Sequence, residues 1–338
     1  MKIQKSNKKS FFKKIFIKIC RLLNFEIIDQ SNFTIPTLKK RLDENLSSPG
    51  RKSITLPMGE IKITRQINSL NIIFRFCTNV KMLTQSKQRL FEEEKNQYTL
   101  RSLNSILKSI QTAKSNFKYL DIKITAIDSG SDEADVRKIE NMIKEKNINF
   151  EYIKLNVDEL KDFIDPQASV NQKSNMANIY KSFEIGRDGK YDLLYFLEDD
   201  YIHEQSSLNE MLFSYEKFAS LIKDELILCP SDFPYLYNKF EPTQIILGNK
   251  RHWRVVEETL VTFLTSKKLL LKHWDTFASM SKINHTPFEK PLHDIYSKQY
   301  CLSPIPSLAM HCANINSIYG ISPLMDWKRL WDENKIND

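Results

Sequence analysis

The segment YDLLYFLEDDY, Tyr191 to Tyr201, carries an apolar, aromatic-rich run from Leu193 to Leu197 and stops on three consecutive acids, Glu198, Asp199 and Asp200. A short apolar run of this kind reads as a strand buried on both faces, with the acids at its carboxyl end. Outward from it, similar runs predict strands at 70–77 (LNIIFRFC), 120–128 (LDIKITAID), 149–155 (NFEYIKL) and 225–230 (ELILCP). Helical patterns at 84–115, 132–147, 172–186 and 206–223 separate them. Strands alternating with helices imply an α/β fold: a Rossmann-type mixed, mainly parallel sheet flanked by helices, because parallel neighbours need crossover connections. After residue 240 the order loosens. A strand-like run at 254–265 precedes a helix at 266–279, a second helix at 288–299 and the short runs CLSPIP and SLAMH.

Sheets of this class bind ligands at the carboxyl ends of their strands, which singles out Thr78, Asp128 and the acids after Phe196. Three adjacent carboxylates repel one another unless a cation neutralises them. Carboxylate oxygens favour Mg²⁺ or Mn²⁺, and a metal held by one or two of them keeps positions open for phosphate oxygens. A solvated acidic turn, or a cap for the helix near Ser206, accounts for the triplet equally well. Asp128 closes its strand in AIDSGSD; Asp132 suits a helix cap and Asp128 a ligand contact. Asn175 and Asn178 open the helix that leads into the acidic strand.

Composition narrows the function classes. The chain has 338 residues, and its 7 glycines are placed so that neither GxGxxG nor GxxxxGK[ST] can be written, which sets aside dinucleotide-binding dehydrogenases and P-loop NTPases. The formal charge of +8 comes from the amino-terminal segment: Lys2, Lys5, Lys8, Lys9, Lys13, Lys14, Lys18 and Arg21 all precede the first acid, Glu26. The remainder is neutral, so no nucleic-acid surface is expected. In FFKKIFIKICRLL, at about 100° per residue, the four basic residues fall within about 140° and the apolar ones, Ile17 apart, cover the other side. This is the pattern of a basic amphipathic helix on an anionic membrane surface, served by residues 1–24; a disordered leader, or a helix docked on its own domain, is the plainer alternative. The lysine-interrupted run does not suit a signal peptide, which places the chain in the cytoplasm, peripheral on the inner face of the membrane. The 5 cysteines never pair as CxxC, so neither a disulfide framework nor a structural zinc site is indicated. The chain divides into a membrane-surface segment (1–25), a connector (26–69) with a helix near 38–46 and a strand near Ile61, a main domain (70–325) and a carboxy-terminal tail (326–338).

The strand NIIFRFCTN (71–79), the stretch DSGSD (128–132), the helix SNMANIYKSFEIG (174–186) and LEDDY (197–201) together resemble the GT-A class of nucleotide-sugar-dependent glycosyltransferases. The likeness is to the large inverting group with an N-x-x-x-x-A-x-N-type helix before a DxD-like motif, here in a Glu-Asp-Asp version, and it spans about residues 70–312. It implies a GT-A-like sheet, a nucleotide-sugar donor (a UDP-sugar is the guess), a glycan or lipid-linked hydroxyl acceptor, and Mn²⁺ or Mg²⁺ as cofactor. Carried over residue by residue, Asp128 resembles the acid that contacts the base, and Asp200 the one that binds the metal. Glu198 and Asp199 would face the ribose or metal-bound waters, Thr78 and Asn175 the nucleotide, and His311 in PSLAMHCAN would complete the metal site. A carboxylate at the start of a late helix acts as base in such enzymes, and HTPFEKPLHDIY offers Glu289 and Asp294, which the sequence does not separate; Glu257 and Glu258 are runners-up. Trp253 and Arg254 follow an apparent loop and suit an acceptor platform, with a core role as the plainer reading. A metal-dependent phosphohydrolase and a non-catalytic nucleotide-binding scaffold are the rival functions.

Overall fold

The computed structural model describes residues 11–25, 53–56, 59–79, 89–238, 240, 242–282 and 289–336. In chain order the elements are α1 (Phe11–Leu22), β1 (Ser53–Leu56), β2 (Gly59–Lys62), β3 (Ser69–Phe76), α2 (Lys95–Asn116), β4 (Asp121–Asp128), α3 (Glu133–Lys144), β5 (Asn149–Lys154), α4 (Val170–Asp188), β6 (Leu193–Glu198), β7 (Tyr201–His203), α5 (Ser207–Ile222), β8 (Ile227–Leu228), β9 (Ile245–Leu247), β10 (His252–Val255), β11 (Phe263–Ser266), α6 (Lys267–Lys272), α7 (Trp274–Ser279), α8 (Lys290–Tyr296), β12 (Cys301–Ile305), β13 (Ala309–His311) and α9 (Trp327–Glu333).

The central sheet has 9 strands in the order β5-β4-β3-β6-β11-β8-β12-β10-β9. Strands β5, β4, β3 and β6 are parallel, and β8 and β12 continue in their direction. Only β11 and β10 run against the rest of this sheet, so it is mixed and mainly parallel. Alternation along the strands builds two cores, since successive side chains leave a strand on opposite faces. Ile72, Phe74 and Phe76 of β3 and Leu193, Tyr195 and Leu197 of β6 pack with Leu103 and Ile106 of α2, Ile139 of α3 and Met211 and Phe218 of α5. Ile73, Leu194 and Phe196 face the other way, against Phe183 of α4, Leu270 of α6, Phe277 of α7 and Leu292 of α8. β7 and β13 form a separate two-stranded ladder.

Several expectations need correction. The run 254–265 is two strands, because Glu257 and Glu258 are exposed in a connector that carries the chain from β10 to the middle of the sheet at β11. The helix expected over 266–279 breaks at His273, which leaves helical geometry with φ −118° and ψ 26°. The expected tail carries α9, whose Leu330 and Trp331 bury against Tyr98, Ile202 and Met310. The helix near 38–46 lies outside the described residues, as does most of the connector. Its final part is tied to the body: the Arg65 guanidinium pairs with Asp192 and Glu225, and the Ile67 amide donates to Glu216.

Candidate functional site

The carboxyl ends of β3, β4 and β6 lie side by side, with Phe76 opposite Asp128 and Arg75 opposite Glu198. The chain beyond β4 makes a tight turn in which both the Gly130 and Ser131 amides donate to Asp128 Oδ1, at 3.0 and 2.8 Å. Gly130 permits this with φ +114°, a conformation that side chains disfavour. The Tyr152 hydroxyl donates to Asp128 Oδ2 at 3.0 Å, and Asp128 is buried. Asp128 therefore organises the turn, and the cap expected from Asp132 is not made, since its side chain gives α3 no cap hydrogen bond. Thr78 joins the first strand end to this turn: its amide donates to Ser131 Oγ at 2.9 Å, and its hydroxyl accepts from the Asp132 amide at 3.2 Å. Asn175 is half-buried. Asn178, one turn further along α4, reaches the turn itself and donates to Ser129 Oγ at 3.2 Å.

The three acids point to three different places. Glu198 faces Arg75 of the neighbouring strand, Oε1 to Nη2 at 2.9 Å, and accepts from the Thr262 hydroxyl at 3.1 Å. Burial draws its carboxyl upwards in pKa, against the opposing charge of Arg75. Asp199 is turned inward: Oδ2 accepts from the Thr99 hydroxyl at 2.8 Å and the Cys77 amide at 3.2 Å, and Oδ1 pairs with Lys95. These partners tie β6 to β3 and α2, so Asp199 does not face a ribose or bound water, and that expectation is corrected. Asp200 is the acid that turns towards His311, Oδ2 to Nε2 at 3.6 Å.

The Asp200–His311 pair is made by backbone register. β13 pairs with β7 so that His311 stands opposite Tyr201, and the Cys312 amide donates to the Asp200 carbonyl at 2.8 Å. The ring stacks on Tyr201 at 4.7 Å between centroids. Its Nδ1–H donates to the Tyr319 carbonyl at 2.6 Å, which fixes the ring with Nε2 turned to Asp200. Burial alone would raise the Asp200 carboxyl, but His311, with Lys95 and Arg89 further out, holds it well below the usual range. His311 is moved the other way: burial would lower it, and Asp200 raises it. Among the described residues, no group of three or more His, Cys, Asp or Glu is arranged to hold a metal by itself. One carboxylate oxygen and one imidazole nitrogen fit a cation such as Mn²⁺ or Mg²⁺ that takes its remaining ligands from phosphate and water.

Glu289 and Asp294 are now distinguishable. Glu289 precedes α8, is 8% exposed and feels the charges of Glu198 and His311; burial, reinforced by Glu198, pushes its carboxyl up to about 7. Asp294 is exposed and pairs with Lys290 along the helix, at 2.8 Å. Trp253 is fully buried, with Nε1 donating to Glu210 Oε1 at 3.3 Å and its ring against Phe218, so it offers no face to an acceptor. Arg254 is paired with Asp232, which is fully buried, and lies over the Tyr237 ring, so its guanidinium is committed within the fold.

Sequence reasoning missed Lys95, Thr99, Tyr152, Thr262 and Tyr319, all of which position site residues. Asn178 carried a visible signal, the second Asn of the helix motif.

No protein-family model and no curated protein matches the chain. Solved structures similar to it include the galactosyltransferase LgtC in complex with donor and acceptor sugar analogues, at 12% identity over 79% of this chain and 97% of that one, TM-score 0.35. Residues 1–349 of S. aureus TarS in complex with UDP are similar at 11% identity over 70% of this chain, TM-score 0.36; the chain spans only 61% of that one. A UDP-glucose pyrophosphorylase complexed with UDP-glucose is similar at 7% identity over 78% of this chain and 96% of that one, TM-score 0.40. At such identities and TM-scores none of the three bears on what this chain does.

Proposed function

We propose that the protein is a GT-A-like glycosyltransferase that moves a sugar from a nucleotide diphosphate sugar, with uridine as the base, to a hydroxyl of a glycan or lipid-linked acceptor. The single observation that carries this reading is the His311–Asp200 pair, Nε2 to Oδ2 at 3.6 Å, at the carboxyl edge of the sheet. Support comes from Glu289, a buried carboxyl raised to about 7 that senses the charges of Glu198 and His311.

Asp200 and His311 would hold the cation, which when bound supplies Lewis-acid stabilisation of the leaving diphosphate. Thr78, Asn178 and the Asp128 turn form the side on which the nucleotide rests. Glu289, ionised, takes the proton of the acceptor hydroxyl as its oxygen bonds to the anomeric carbon. The bond from that carbon to the diphosphate oxygen breaks in the same step, so the nucleoside diphosphate leaves with the electron pair and the configuration inverts.

The test is turnover of the full chain on a panel of nucleotide sugars with Mn²⁺, with and without hydroxyl acceptors, reading nucleoside diphosphate release and the anomer of the product. Acceptor-dependent release of nucleoside diphosphate is expected. Release of inorganic phosphate, or of free nucleotide with no glycoside formed, overturns it.

A further inference from the structure

We infer that α1 docks the protein on the interface of a bilayer containing anionic lipid. The inference is independent of the proposed activity and rests on the first 25 residues. In α1 the side chains of Ile15, Phe16, Ile19 and Leu22 are exposed, Phe16 at 59% and Leu22 at 77%, and Leu23 and Phe25 extend the apolar surface past the helix. A contiguous exposed apolar stripe of this size marks an interaction site, because soluble surfaces seldom leave one uncovered.

Charge selects the occupant. Lys18 and Arg21 lie on the arc opposite the stripe, the sequence adds Lys13, Lys14 and, before them, Lys2, Lys5, Lys8 and Lys9, and the first acid is Glu26. Beyond that segment acids and bases balance, so the attraction to an anionic surface is concentrated on α1 and its flank. A bilayer with anionic headgroups satisfies both faces at once: the apolar stripe enters the acyl boundary while the lysines remain among the headgroups. A second copy of α1 would bring two strongly basic segments together and is disfavoured by the same charges.

Length fixes the orientation. Twelve residues in α1 at about 1.5 Å each reach about 18 Å, short of the roughly 30 Å hydrocarbon core. No helix among the described residues is long and apolar enough to cross a membrane. α1 therefore lies in the plane of the interface.

The test is co-sedimentation of the full chain with vesicles of phosphatidylcholine alone and of phosphatidylcholine with 30% phosphatidylglycerol, at about 0.1 and 0.5 M salt. Strong binding is expected only on the anionic vesicles, weakening at the higher salt. Phe16→Asp should abolish it, and each of Lys14→Gln and Lys18→Gln should lower partitioning about fivefold, with melting temperatures unchanged. Equal binding to both vesicles, binding untouched by Phe16→Asp, or a wild-type chain that stays in the supernatant overturns the inference. So does concentration-dependent dimerisation in sedimentation velocity that Phe16→Asp removes, which would assign the stripe to a second copy.

Discussion

His311 stands opposite Tyr201 in the β7–β13 ladder, and this register brings its Nε2 to 3.6 Å from the Oδ2 of Asp200. Asp200 can be changed without touching the apolar cores, whereas the His311 ring also stacks on the buried Tyr201. Asp200→Asn and His311→Ala are each expected to weaken the stabilisation of the protein by UDP with Mn²⁺ by more than about 100-fold in metal affinity, since even outer partners of a metal site cost 10–100-fold. Thermal shift with UDP alone and with UDP plus Mn²⁺ checks this. A metal-dependent shift surviving in both variants would remove the pair from the site.

As the proposed base, Glu289 should set a pH dependence. With its carboxyl at about 7, kcat/KM should rise tenfold per pH unit up to pH 7 and level off above it, because only the carboxylate accepts a proton. Glu289→Gln should flatten that limb and lower kcat by about 10²–10⁴. Stability moves in the opposite sense. The fold prefers the neutral acid, so the group's contribution is full below the unfolded carboxyl value of 4.5 and is lost as pH rises through 7. Glu289→Gln should therefore gain about 2–3 kcal/mol on wild type at pH 8 and nothing at pH 4, read from urea titrations at the two values.

Asp199 should separate from Asp200. Its carboxylate is consumed by Lys95, Thr99 and the Cys77 amide, which hold β3, β6 and α2 together at the site. Asp199→Ala leaves a lysine and two further donors unpaired, at a cost of about 3 kcal/mol or more. The urea midpoint should fall accordingly. At temperatures where the variant remains folded, Mn²⁺ affinity in the presence of UDP should stay within about threefold of wild type; a collapse of that affinity would make Asp199 a ligand.

What could be read from the sequence follows from what is local. The parallel strands were visible because β3, β4 and β6 are apolar runs buried on both faces. Carboxyl-end acids followed from strand direction. Division of labour among those acids did not, since it depends on which neighbour each side chain meets: Glu198 meets Arg75 only because β3 and β6 pair in that register. The separation of β10 from β11 was hidden because β11 inserts between β6 and β8, a choice made by tertiary packing. Asp200 and His311 were named together only through resemblance, as their meeting requires a ladder between distant segments. Glu210 had no signal at all. An acid on α5 reads as solvent-facing, yet it is buried and accepts the Asn249, Lys250 and Arg251 amides.

That buried acid decides how Trp253 behaves. The indole is fully enclosed, packs on Phe218 at 6.0 Å between centroids and donates to Glu210 at 3.3 Å, so truncation opens a large cavity and removes one donor from a buried carboxylate. Trp253→Ala is expected to cost about 3–5 kcal/mol. Trp253→Phe retains most of the ring volume and leaves the three backbone amides on Glu210, so its cost should be about 1 kcal/mol, the worth of a single hydrogen bond. A residue acting only through the core changes the urea midpoint and leaves KM for the acceptor alone; a sugar platform does the reverse. Measuring both quantities for Trp253→Phe distinguishes the two. A raised acceptor KM at wild-type stability would put the indole back at the acceptor, against its complete burial.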